Sequence, residues 1–499
     1  MLFRSEDEEY SYARLEALAA GLAAALAARG VKAGDRVALM SANRPEWVVA
    51  VQAIWRLGAS VVLFSPAWKR TETEHALTIT EPAYAVGDHP VLAGLTDMLD
   101  LNEPIRPGTS TASAAPADDA EAVLVFSSGT TGLPKAVIHT HGSLRAAIAA
   151  WRDALELTSA DRIQVTTPPS HILGLLNIAT ALELGIWMRL HRRFDLDRML
   201  DAIEADKITV EMAVAPIALA LANHPRLESY DLSSLRFIMW GATPVTPSVA
   251  QTVSRRTGVA WVPAYGASEL PVIACNPVRG ARLDSAGRVV PGVSLRVVSL
   301  QTGRPLPAGE TGELQLRAPS LMSGYLPAEE TAASFADGWY RTGDVGYVEP
   351  DGWVHLTDRS KEMIKVRGFQ VAPAEVEGVL LGHPAVRDCA VFGVPDPVNG
   401  ESIIAAVALD TAACPVAGPA GPAVPVASAT SAVSSAPIAR DDLAAYVGDR
   451  LASYKKPARV IVVDQIPRLP SGKALRRVLK ENYLKENYLK ETDGRAPVA

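Results

Sequence analysis

A run of small and hydroxylated residues follows an apolar segment in the first third of the chain. The stretch is LVFSSGTTGLPKAVIHTH, from Leu124 to His141. Small residues let backbone N–H groups approach an anion, the hydroxyl groups add donors, and Lys135 adds a positive charge, so the pattern predicts a phosphate-binding loop. It does not match G-x-x-x-x-G-K-[ST], which disfavours a P-loop NTPase. Taken alone, such a turn also fits an ordinary surface loop.

Two further stretches carry charged groups suited to chemistry. In YRTGDVGYVEPDGWVHLTDRSKEMIKVRGFQVAPAEVE, Asp344 offers two acceptors for a vicinal diol such as a ribose, and Arg359 offers a rigid fork of donors. Taken singly, Asp344 also fits a turn residue and Arg359 a surface charge. In RLPSGKALRR, Lys473 follows a Pro-Ser-Gly turn far along the chain from Lys135.

The composition indicates a globular protein of more than one domain. The 499 residues are 48% hydrophobic and 21% charged, which is enough apolar material for two or more cores. The net charge of −7, without a long block of lysine and arginine, argues against a nucleic-acid or anionic-membrane surface. Cys275, Cys389 and Cys414 lack CxxC or CxxH spacing, so we predict no disulfide framework and no structural zinc, and we expect a cytoplasmic location.

No targeting or membrane-spanning segment is predicted. The N-terminal MLFRSEDEEYSY is acidic and lacks the basic and apolar regions of a secretory signal. The uncharged stretch from Ala17 to Ala28 is too short to span a bilayer and predicts a buried amphipathic helix.

Alternating helical and strand patterns predict an α/β fold. Alanine-rich helical patterns alternate with β-branched runs such as DRVALM and AVLVF up to about residue 266, which is typical of layered α/β subdomains with largely parallel sheets. From 271 to 356, strand-turn spacing predicts a β-barrel-like subdomain without helices. The rest, including a helix at 373–381, predicts a small α+β domain after a boundary near 358–361.

Two segments of the C-terminal part have an unusual composition. Residues 411–439 are uncharged and rich in Pro, Ala and Ser, which predicts a flexible surface insertion. The stretch LKENYLKENYLKE is a tandem duplication and predicts a solvated helical tail of mixed charge.

Seven stretches occur in an order that resembles one family. They are SSGTTGLPKAVIHTH, TPPSHILGLL, YDLSSLRFIMWGATPV, PAYGASE, YRTGDVGY, DRSKEMIKVRGFQVAPAEVE and YKKPARVIVVDQIPRLPSGKALRR. On these stretches the sequence resembles the adenylate-forming superfamily of AMP-binding enzymes, which includes acyl-CoA synthetases, 4-coumarate-CoA ligases and luciferases. The stretches cover nearly the whole chain, so the ordinary-turn alternatives lose most of their weight.

The resemblance implies a two-domain enzyme with two half-reactions. It implies an AMP-binding domain at 1–358 and a mobile domain at 359–499, with a hinge at Lys361. It also implies ATP, Mg²⁺ and coenzyme A: a carboxylate attacks the α-phosphate of ATP to give acyl-AMP and pyrophosphate, and a thiol then displaces AMP. A carboxylate is a poor nucleophile facing a polyanion, so this chemistry depends on positioning and positive charge.

The resemblance also implies roles for the residues at matching positions. The phosphate loop would comprise Ser127, Ser128, Gly129, Thr130, Thr131, Gly132 and Lys135. The adenine would be lined by Gly241, Ala242, Thr243, Tyr265 and Gly266, and the ribose would be held by Asp344 and Arg359. Ser268 would contact the α-phosphate or the carboxylate, Glu269 would bind Mg²⁺, and Lys473 would bridge the reacting groups. Lys365 and Gln370 would act around acyl-AMP, and Gly368 would leave room for the thiol.

The acyl pocket is expected to be mostly apolar. Its expected residues are His171, Asn177, Trp240, Ala267 and Val272. None of them would pair with a second carboxylate or an amine, so we predict a fatty, aryl or alicyclic acid and disfavour amino acids and dicarboxylates. His171 also fits a core histidine or a helix cap, and the pair His139 and His141 is not predicted to bind a metal.

Some positions depart from the family pattern, and some alternatives stay open. Ala136 replaces a common glycine on what is expected to be the helix side of the loop, and Pro263 stands where an amide often contacts adenine. One alternative is a ligase that loads an acyl carrier protein. Another is a nucleotide-binding module without turnover; the residues that argue against it are Glu269, Asp344, Lys365 and Lys473. No nucleic-acid or integral-membrane partner is predicted, and both a monomer and a homodimer stay open.

Overall fold

The computed structural model describes residues 3–5, 8–109, 115–127, 134–242, 245–359, 362–366, 369–396, 400–409, 440–468 and 474–493. The side chains of 358–359, 370, 440–441 and 486–493 lie outside that description. The chain divides into two compact units, of which the first ends at Leu356 and the second begins at Thr357. Strands and helices are numbered in chain order.

A first sheet of the N-terminal unit carries the residues around the predicted phosphate loop. Its strands are β3 (Arg36–Met40), β4 (Ser60–Phe64), β5 (Tyr84–Gly87), β6 (Met98–Asp100), β7 (Glu121–Ser127), β8 (Lys135–Thr140) and β18 (Gly324–Leu326). Among the described strands the order is β18-β8-β7-β4-β3-β5-β6. β7 and β8 are antiparallel, with Ser127 opposite Lys135. The two ends of the predicted loop therefore lie side by side.

The second sheet joins the α/β part to the β-rich part. Its strands are β1 (Phe3–Ser5), β2 (Glu8–Tyr10), β9 (Arg162–Val165), β10 (Trp187–Leu190), β11 (Val210–Ala213), β12 (Phe237–Trp240), β13 (Trp261–Tyr265), β14 (Ala274–Cys275), β15 (Gly287–Val289), β16 (Ser294–Val298), β17 (Gly312–Arg317), β19 (Phe335–Ala336), β20 (Trp339–Val348) and β21 (Trp353–Arg359). The described order is β16-β17-β20-β21-β15-β14-β13-β12-β11-β9-β10-β1-β2, with β19 beside β20. Pairing is parallel between β12 and β13 and antiparallel between β13 and β14. One hydrogen-bonded ladder thus links the two predicted subdomains.

Ten helices of the N-terminal unit are described, and most of them pack against these sheets. They are α1 (Tyr12–Ala27), α2 (Pro45–Arg56), α3 (Arg70–Thr80), α4 (Pro90–Ala93), α5 (His141–Ala154), α6 (Ile172–Leu184), α7 (Leu196–Asp206), α8 (Ala215–Ala222), α9 (Pro247–Thr257) and α10 (Glu329–Ala333). Local capping explains several starts, because a side-chain acceptor satisfies an otherwise unpaired N–H group. Ser11 accepts from the Arg14 N–H at α1, and Asp195 accepts from the Arg198 N–H at α7. No described helix has the length and apolar character needed to cross a membrane.

The second unit has its own sheet and core. Its described elements are β22 (Ile364–Val366), β23 (Phe369–Val371), α11 (Pro373–Leu381), β24 (Val386–Asp396), β25 (Gly400–Leu409), α12 (Arg440–Gly448), β26 (Arg459–Val462) and α13 (Arg476–Asp493). The strand order is β23-β22-β25-β24, with β26 beside β25. Val376 and Leu380 of α11 are fully buried against Val391 of β24 and other apolar side chains. The chain is thus a mixed α/β protein with a large N-terminal part and a smaller α+β C-terminal part.

Two expectations about local structure are wrong. Ala136 does not lie on a helix: it is fully buried in β8, where it pairs with Phe126 of the antiparallel strand β7. The region 271–356 is not free of helices, because α10 begins at Glu329. Five residues are too few to produce a clear helical period, which explains why the strand-turn spacing dominated the sequence.

Candidate functional site

Tyr265 and Asp344, both predicted to contact the nucleoside, lie in direct contact. Tyr265 is the last residue of β13, and Asp344 lies within β20. The Tyr265 hydroxyl donates to Asp344 Oδ2 at 2.5 Å, and Asp344 is 7% exposed. The backbone N–H of Asp344 donates to Thr342 Oγ1 at 2.9 Å, which fixes the backbone of β20 where its register with β17 shifts. A buried, anchored carboxylate of this kind can accept hydrogen bonds from sugar hydroxyls.

The loop after β13 requires its glycine. A Cβ atom at Gly266 would lie 2.0 Å from the carbonyl oxygen of Pro271, closer than any side chain tolerates. The Ala267 N–H donates to the Leu270 carbonyl at 2.9 Å and closes a tight turn around Ser268 and Glu269. The sequence PAYGASE therefore folds into a compact turn that presents two candidate catalytic side chains.

A buried histidine supports this turn. His139 of β8 is fully buried, and its Nε2 lies 2.7 Å from the carbonyl oxygen of Ser268. Because a carbonyl only accepts, Nε2 carries the proton and donates. Burial lowers the pKa of His139 to about 4, so the ring is neutral near pH 7. His139 therefore has a structural partner, whereas the sequence analysis considered it only as half of a metal pair and did not predict a metal there.

Glu269 lies in a cluster of tyrosine hydroxyls. The Tyr325 hydroxyl donates to Glu269 Oε1 at 2.8 Å and lies 3.2 Å from the Tyr340 hydroxyl. Burial, followed by the nearby Glu269 charge, raises the pKa of Tyr325 well above its usual range, so the hydroxyl remains a donor at neutral pH. Neither tyrosine was predicted as a site residue: Tyr325 lies outside the seven stretches, and in YRTGDVGY the prediction rested on Asp344 and not on Tyr340.

Lys135 lies close to the same tyrosine. Its ammonium group is 5.3 Å from the centre of the Tyr325 ring, within the range of a cation–π contact. Lys135 also forms an ion pair with Glu330 of α10. The predicted phosphate-binding cation and the predicted metal-binding carboxylate are thus both in contact with Tyr325.

Gly241 and Ala242 follow β12 directly. Gly241 is buried, and its N–H donates to the Ala213 carbonyl at 3.2 Å. Ala242 is exposed and has φ of 63°, a left-handed conformation that is uncommon for a residue with a Cβ. Such strained backbone is enriched at functional sites, in keeping with the predicted adenine contact.

His171 caps a helix. It is the N-cap residue of α6, and its Nδ1 accepts from the Leu173 N–H at 3.3 Å. Burial lowers the pKa of His171 to about 4, so the imidazole is neutral near pH 7. The geometry matches the helix-cap interpretation, and a role at the pocket mouth stays a prediction.

The other predicted pocket residues differ in their surroundings. Asn177 is buried, and its Oδ1 accepts from Trp151 Nε1 of α5 at 2.9 Å, which ties α5 to α6. Trp240 is fully buried, and its ring centre lies 5.2 Å from that of Trp261. Val272 is buried and Ala267 is half-buried. Their contact with an acyl group stays a prediction.

Several predicted site residues lie outside the described part of the chain. They are Ser128, Gly129, Thr130, Thr131, Gly132, Thr243, Lys361, Gly368, Lys473 and the side chains of Arg359 and Gln370. In the second unit, Lys365 of β22 is exposed, and its N–H donates to Glu401 Oε2 at 2.8 Å. Ser127 ends β7 at the start of the predicted loop.

Both parts of the chain match known enzyme domains. Residues 1–326 match the AMP-binding enzyme family, and residues 375–473 match the AMP-binding enzyme C-terminal domain. The chain belongs to the adenylate-forming family of AMP-binding enzymes. The resemblance inferred from the seven stretches is therefore confirmed.

Curated relatives of this AMP-binding enzyme include aryl acid ligases. It is 34% identical to a feruloyl-CoA synthase of Amycolatopsis sp over 95% of this chain and 94% of that protein. It is 32% identical to 4-coumarate--CoA ligase 1 of Oryza sativa subsp. japonica over 94% of this chain and 87% of that protein. The ATP-bound structure of MatB from Rhodopseudomonas palustris matches with a TM-score of 0.86 at 28% identity, covering 97% of this chain and 95% of that chain. These likenesses show an AMP-forming acid-thiol ligase of the acyl-CoA ligase type, for which ATP and coenzyme A are fitting substrates.

The residues of this AMP-binding enzyme fit Mg²⁺ at one position. Among the described residues, no group of three or more His, Cys, Asp or Glu side chains is arranged to hold a metal ion. Glu269 supplies one carboxylate, anchored through Oε1. Mg²⁺ commonly takes one or two protein carboxylates and completes its shell with water and substrate phosphates, so a single anchored glutamate, with the predicted phosphate-binding Lys135 on the same tyrosine, suits it.

Proposed function

We propose that this AMP-binding enzyme joins a hydrophobic carboxylic acid to coenzyme A in two steps. In the first, a carboxylate oxygen attacks the α-phosphorus of ATP, the bond to the bridging oxygen of the β-phosphate breaks, and pyrophosphate leaves. In the second, the thiolate of coenzyme A attacks the acyl carbon, and AMP leaves with the electron pair of the broken C–O bond. The thiol proton passes to solvent.

The observation that supports the first step best is the convergence of Lys135 and Glu269 on Tyr325. A cation suited to phosphate and a carboxylate suited to Mg²⁺ are held by the same side chain. Charge at the phosphates is what this reaction needs, because the attacking carboxylate and the triphosphate repel each other. Mg²⁺, held by Glu269, would supply further neutralisation of the triphosphate.

The remaining roles are proposed on the family match. Asp344 and Arg359 hold the ribose, Tyr265 stacks on adenine, and Ser268 contacts the α-phosphate or the carboxylate. Lys473 assists the first step by bridging the carboxylate and the α-phosphate. Lys365, Gln370 and Gly368 serve acyl-AMP and its thiolysis, with Lys361 as the hinge.

Within the predicted hydrophobic class, we propose an aryl acid. Two relatives are named for ferulate and 4-coumarate, and both match nearly the whole chain. The five predicted pocket residues carry no formal charge at neutral pH, since the imidazole of His171 is neutral there. An uncharged pocket disfavours a second carboxylate or an ammonium group on the substrate.

A pyrophosphate-release screen tests this function. Hydroxycinnamic, benzoic, fatty and polycyclic acids are assayed with and without coenzyme A, and acyl-CoA is identified by mass spectrometry. We expect the highest kcat/KM for an aryl acid and an acyl-CoA product that depends on coenzyme A. Strong turnover of an amino acid or of malonate would contradict the pocket argument. Acyl-AMP that coenzyme A fails to discharge, but that an acyl carrier protein does discharge, would favour the carrier-loading alternative.

A further inference from the structure

Tyr325 is held in place by strand pairing, burial and a backbone hydrogen bond, independently of its contacts with charged groups. It lies in β18 opposite Val137 of β8, and its side chain is 6% exposed. Its backbone N–H donates to Thr331 Oγ1 of the α10 helix at 2.8 Å. A residue anchored on both sides has little rotamer freedom, so its hydroxyl group has a defined position.

The segment that carries Tyr325 is also tied to the Glu269 turn. The Met322 N–H donates to the backbone carbonyl of Glu269 at 2.8 Å, three residues before the Tyr325 hydroxyl reaches Glu269 Oε1. The segment from Met322 to Tyr325 therefore forms hydrogen bonds with both the backbone and the side chain of Glu269. None of the described residues donates a hydrogen bond to Oε2, the other carboxylate oxygen of Glu269, so this oxygen can bind a ligand.

The ring face of Tyr325 adds a contact of a different kind. Lys135 lies over the ring at 5.3 Å from its centre, and the hydroxyl points to Glu269. Replacing Tyr325 by phenylalanine would keep the ring and the lysine contact but remove the bond to Glu269. Removal of the hydroxyl oxygen alone can therefore distinguish the contact with Glu269 from the contact with Lys135.

We propose that Tyr325 is a positioning residue that orients Glu269 for Mg²⁺ in the nucleotide complex. The proposal rests on the proposed function, since it takes Glu269 as the metal-binding carboxylate. A carboxylate with one oxygen fixed presents the other in one direction, which lowers the entropy lost on binding a cation. Hydrogen-bond partners behind metal ligands commonly change metal affinity by 10–100-fold.

The test is a Mg²⁺ titration by calorimetry in the presence of a non-hydrolysable ATP analogue, which does not depend on turnover. Tyr325→Phe is compared with Tyr10→Phe, the matched control. Tyr10 is also buried, and its hydroxyl donates to a carboxylate, Glu8 Oε2, at 3.0 Å. We expect the Kd for Mg²⁺ to rise about 10-fold in Tyr325→Phe and to stay unchanged in Tyr10→Phe. Equal Kd values in the two variants overturn the proposal.

A second variant keeps the test decisive if Tyr325→Phe does not fold. Tyr340→Phe removes only the hydroxyl that lies beside that of Tyr325, and we expect the Kd for Mg²⁺ to rise by less than the about 10-fold expected for Tyr325→Phe. An unchanged Kd in that variant then overturns the proposal.

Activity distinguishes this inference from the proposed function. In Tyr325→Phe, pyrophosphate release should need about 10-fold more Mg²⁺ for its half-maximal rate, while thioester formation from supplied acyl-AMP should be unchanged. A wild-type enzyme that releases no pyrophosphate with any acid defeats the proposed function, but the calorimetric comparison still decides the role of Tyr325. A wild-type enzyme that binds no Mg²⁺ with the analogue overturns the inference itself.

Discussion

Under the proposed function, the hydrogen bonds of Asp344 hold its carboxylate in place before the ribose of ATP binds. Tyr265 donates to Oδ2, and the hydrogen bond from the Asp344 N–H to Thr342 Oγ1 fixes the backbone. Asp344→Asn keeps the shape but removes the charge, and hydrogen bonds to charged groups are worth about 1.5–3 kcal/mol. We expect the KM for ATP to rise about 10-fold or more, with little change in the KM for the acid.

Initial-rate assays of pyrophosphate release at varied ATP and varied acid measure this effect. Asp351→Asn is the control, since its carboxylate is exposed and lies 3.8 Å from Arg288. Equal changes in both KM values would argue against a specific role of Asp344 at the nucleotide.

Lys473 carries a prediction about the two half-reactions. Lys473→Ala should nearly abolish acyl-AMP formation, because the bridge between the carboxylate and the α-phosphate is lost, but should leave thioester formation from supplied acyl-AMP largely intact. Single-turnover assays of each step measure this. Lys480→Ala is the control, because Lys480 lies in α13 and is 4.0 Å from Glu401. Equal loss of both steps would contradict the prediction that Lys473 acts in acyl-AMP formation and not in thioester formation.

Sequence motifs locate the individual residues that could bind substrate or metal, but they do not locate the residues that position those side chains. Lys135 and Asp344 stand in stretches whose residues predict binding of a phosphate and a sugar, and the metal role of Glu269 is implied by the resemblance to the family. Tyr325 is 56 positions away from Glu269, and His139 is 129 positions away from Ser268. Contacts over such separations depend on strand pairing, which a single sequence does not reveal.

Among the elements, β11 contains an unusual group. Glu211 is fully buried, and its Oε2 accepts from Gln164 Nε2 of β9 at 2.5 Å. Gln164 Oε1 in turn accepts from His191 Nε2 at 2.6 Å. Burial raises the pKa of Glu211 from 4.5 to about 8, so the carboxyl group is protonated in the folded protein near pH 7.

Glu211 should make stability fall as the pH rises. Its folded pKa lies above the unfolded value, so between these values the folded state binds more protons, and stability decreases with increasing pH. From pH 6.5 to 8 the loss is about 2 kcal/mol. Glu211→Gln, which has no proton to lose, should therefore gain melting temperature over the wild type as the pH increases.

Thermal unfolding at pH 6.5, 7.25 and 8 checks this prediction. His139, His171 and His191, whose pKa values burial lowers to about 4, give an opposite trend near pH 6.5, because histidines of the unfolded chain are still partly protonated there. Both proteins share this trend, so the difference in melting temperature between Glu211→Gln and the wild type is the quantity to follow. Glu103→Gln is the control, because Glu103 is exposed. A difference between Glu211→Gln and the wild type that stays constant with pH would refute the assignment.

Elements with a strong period were predictable, and their partners were not. DRVALM becomes β3, AVLVF lies within β7, and the predicted helix at 373–381 is α11. The pairing of β18 with β8 could not be predicted, since β18 has only three residues and lies far along the chain. That pairing brings Tyr325 to the site, so the sequence pointed to the charged groups of the site more readily than to their support.

For the molecule as a whole, the segment 411–439 raises a question of length. It connects β25, which ends at Leu409, to α12, which begins at Arg440. Its composition is of low complexity, rich in Pro, Ala and Ser and without Leu, Met or aromatic residues, so we expect a short Gly/Ser linker in its place to preserve both half-reactions.

Coupled assays of acyl-CoA formation and thermal unfolding measure the effect. We expect kcat within about twofold and a melting temperature within about 2 °C of the wild type, as is usual when a surface loop is shortened. A linker of the original length but scrambled sequence is the control. Loss of activity in the short linker alone would show a need for length, and loss in both would show that the sequence itself matters.

The ion pair between Lys135 and Glu330 affects the free energy of nucleotide binding. Under the proposed function, ATP reaches a lysine that already has an anionic neighbour, so binding is an exchange of one counterion for another and not the filling of an empty positive site. The free energy gained is a difference between two attractions, each weakened by added salt. Nucleotide affinity in this enzyme should therefore depend less steeply on ionic strength than the charge of ATP alone would suggest.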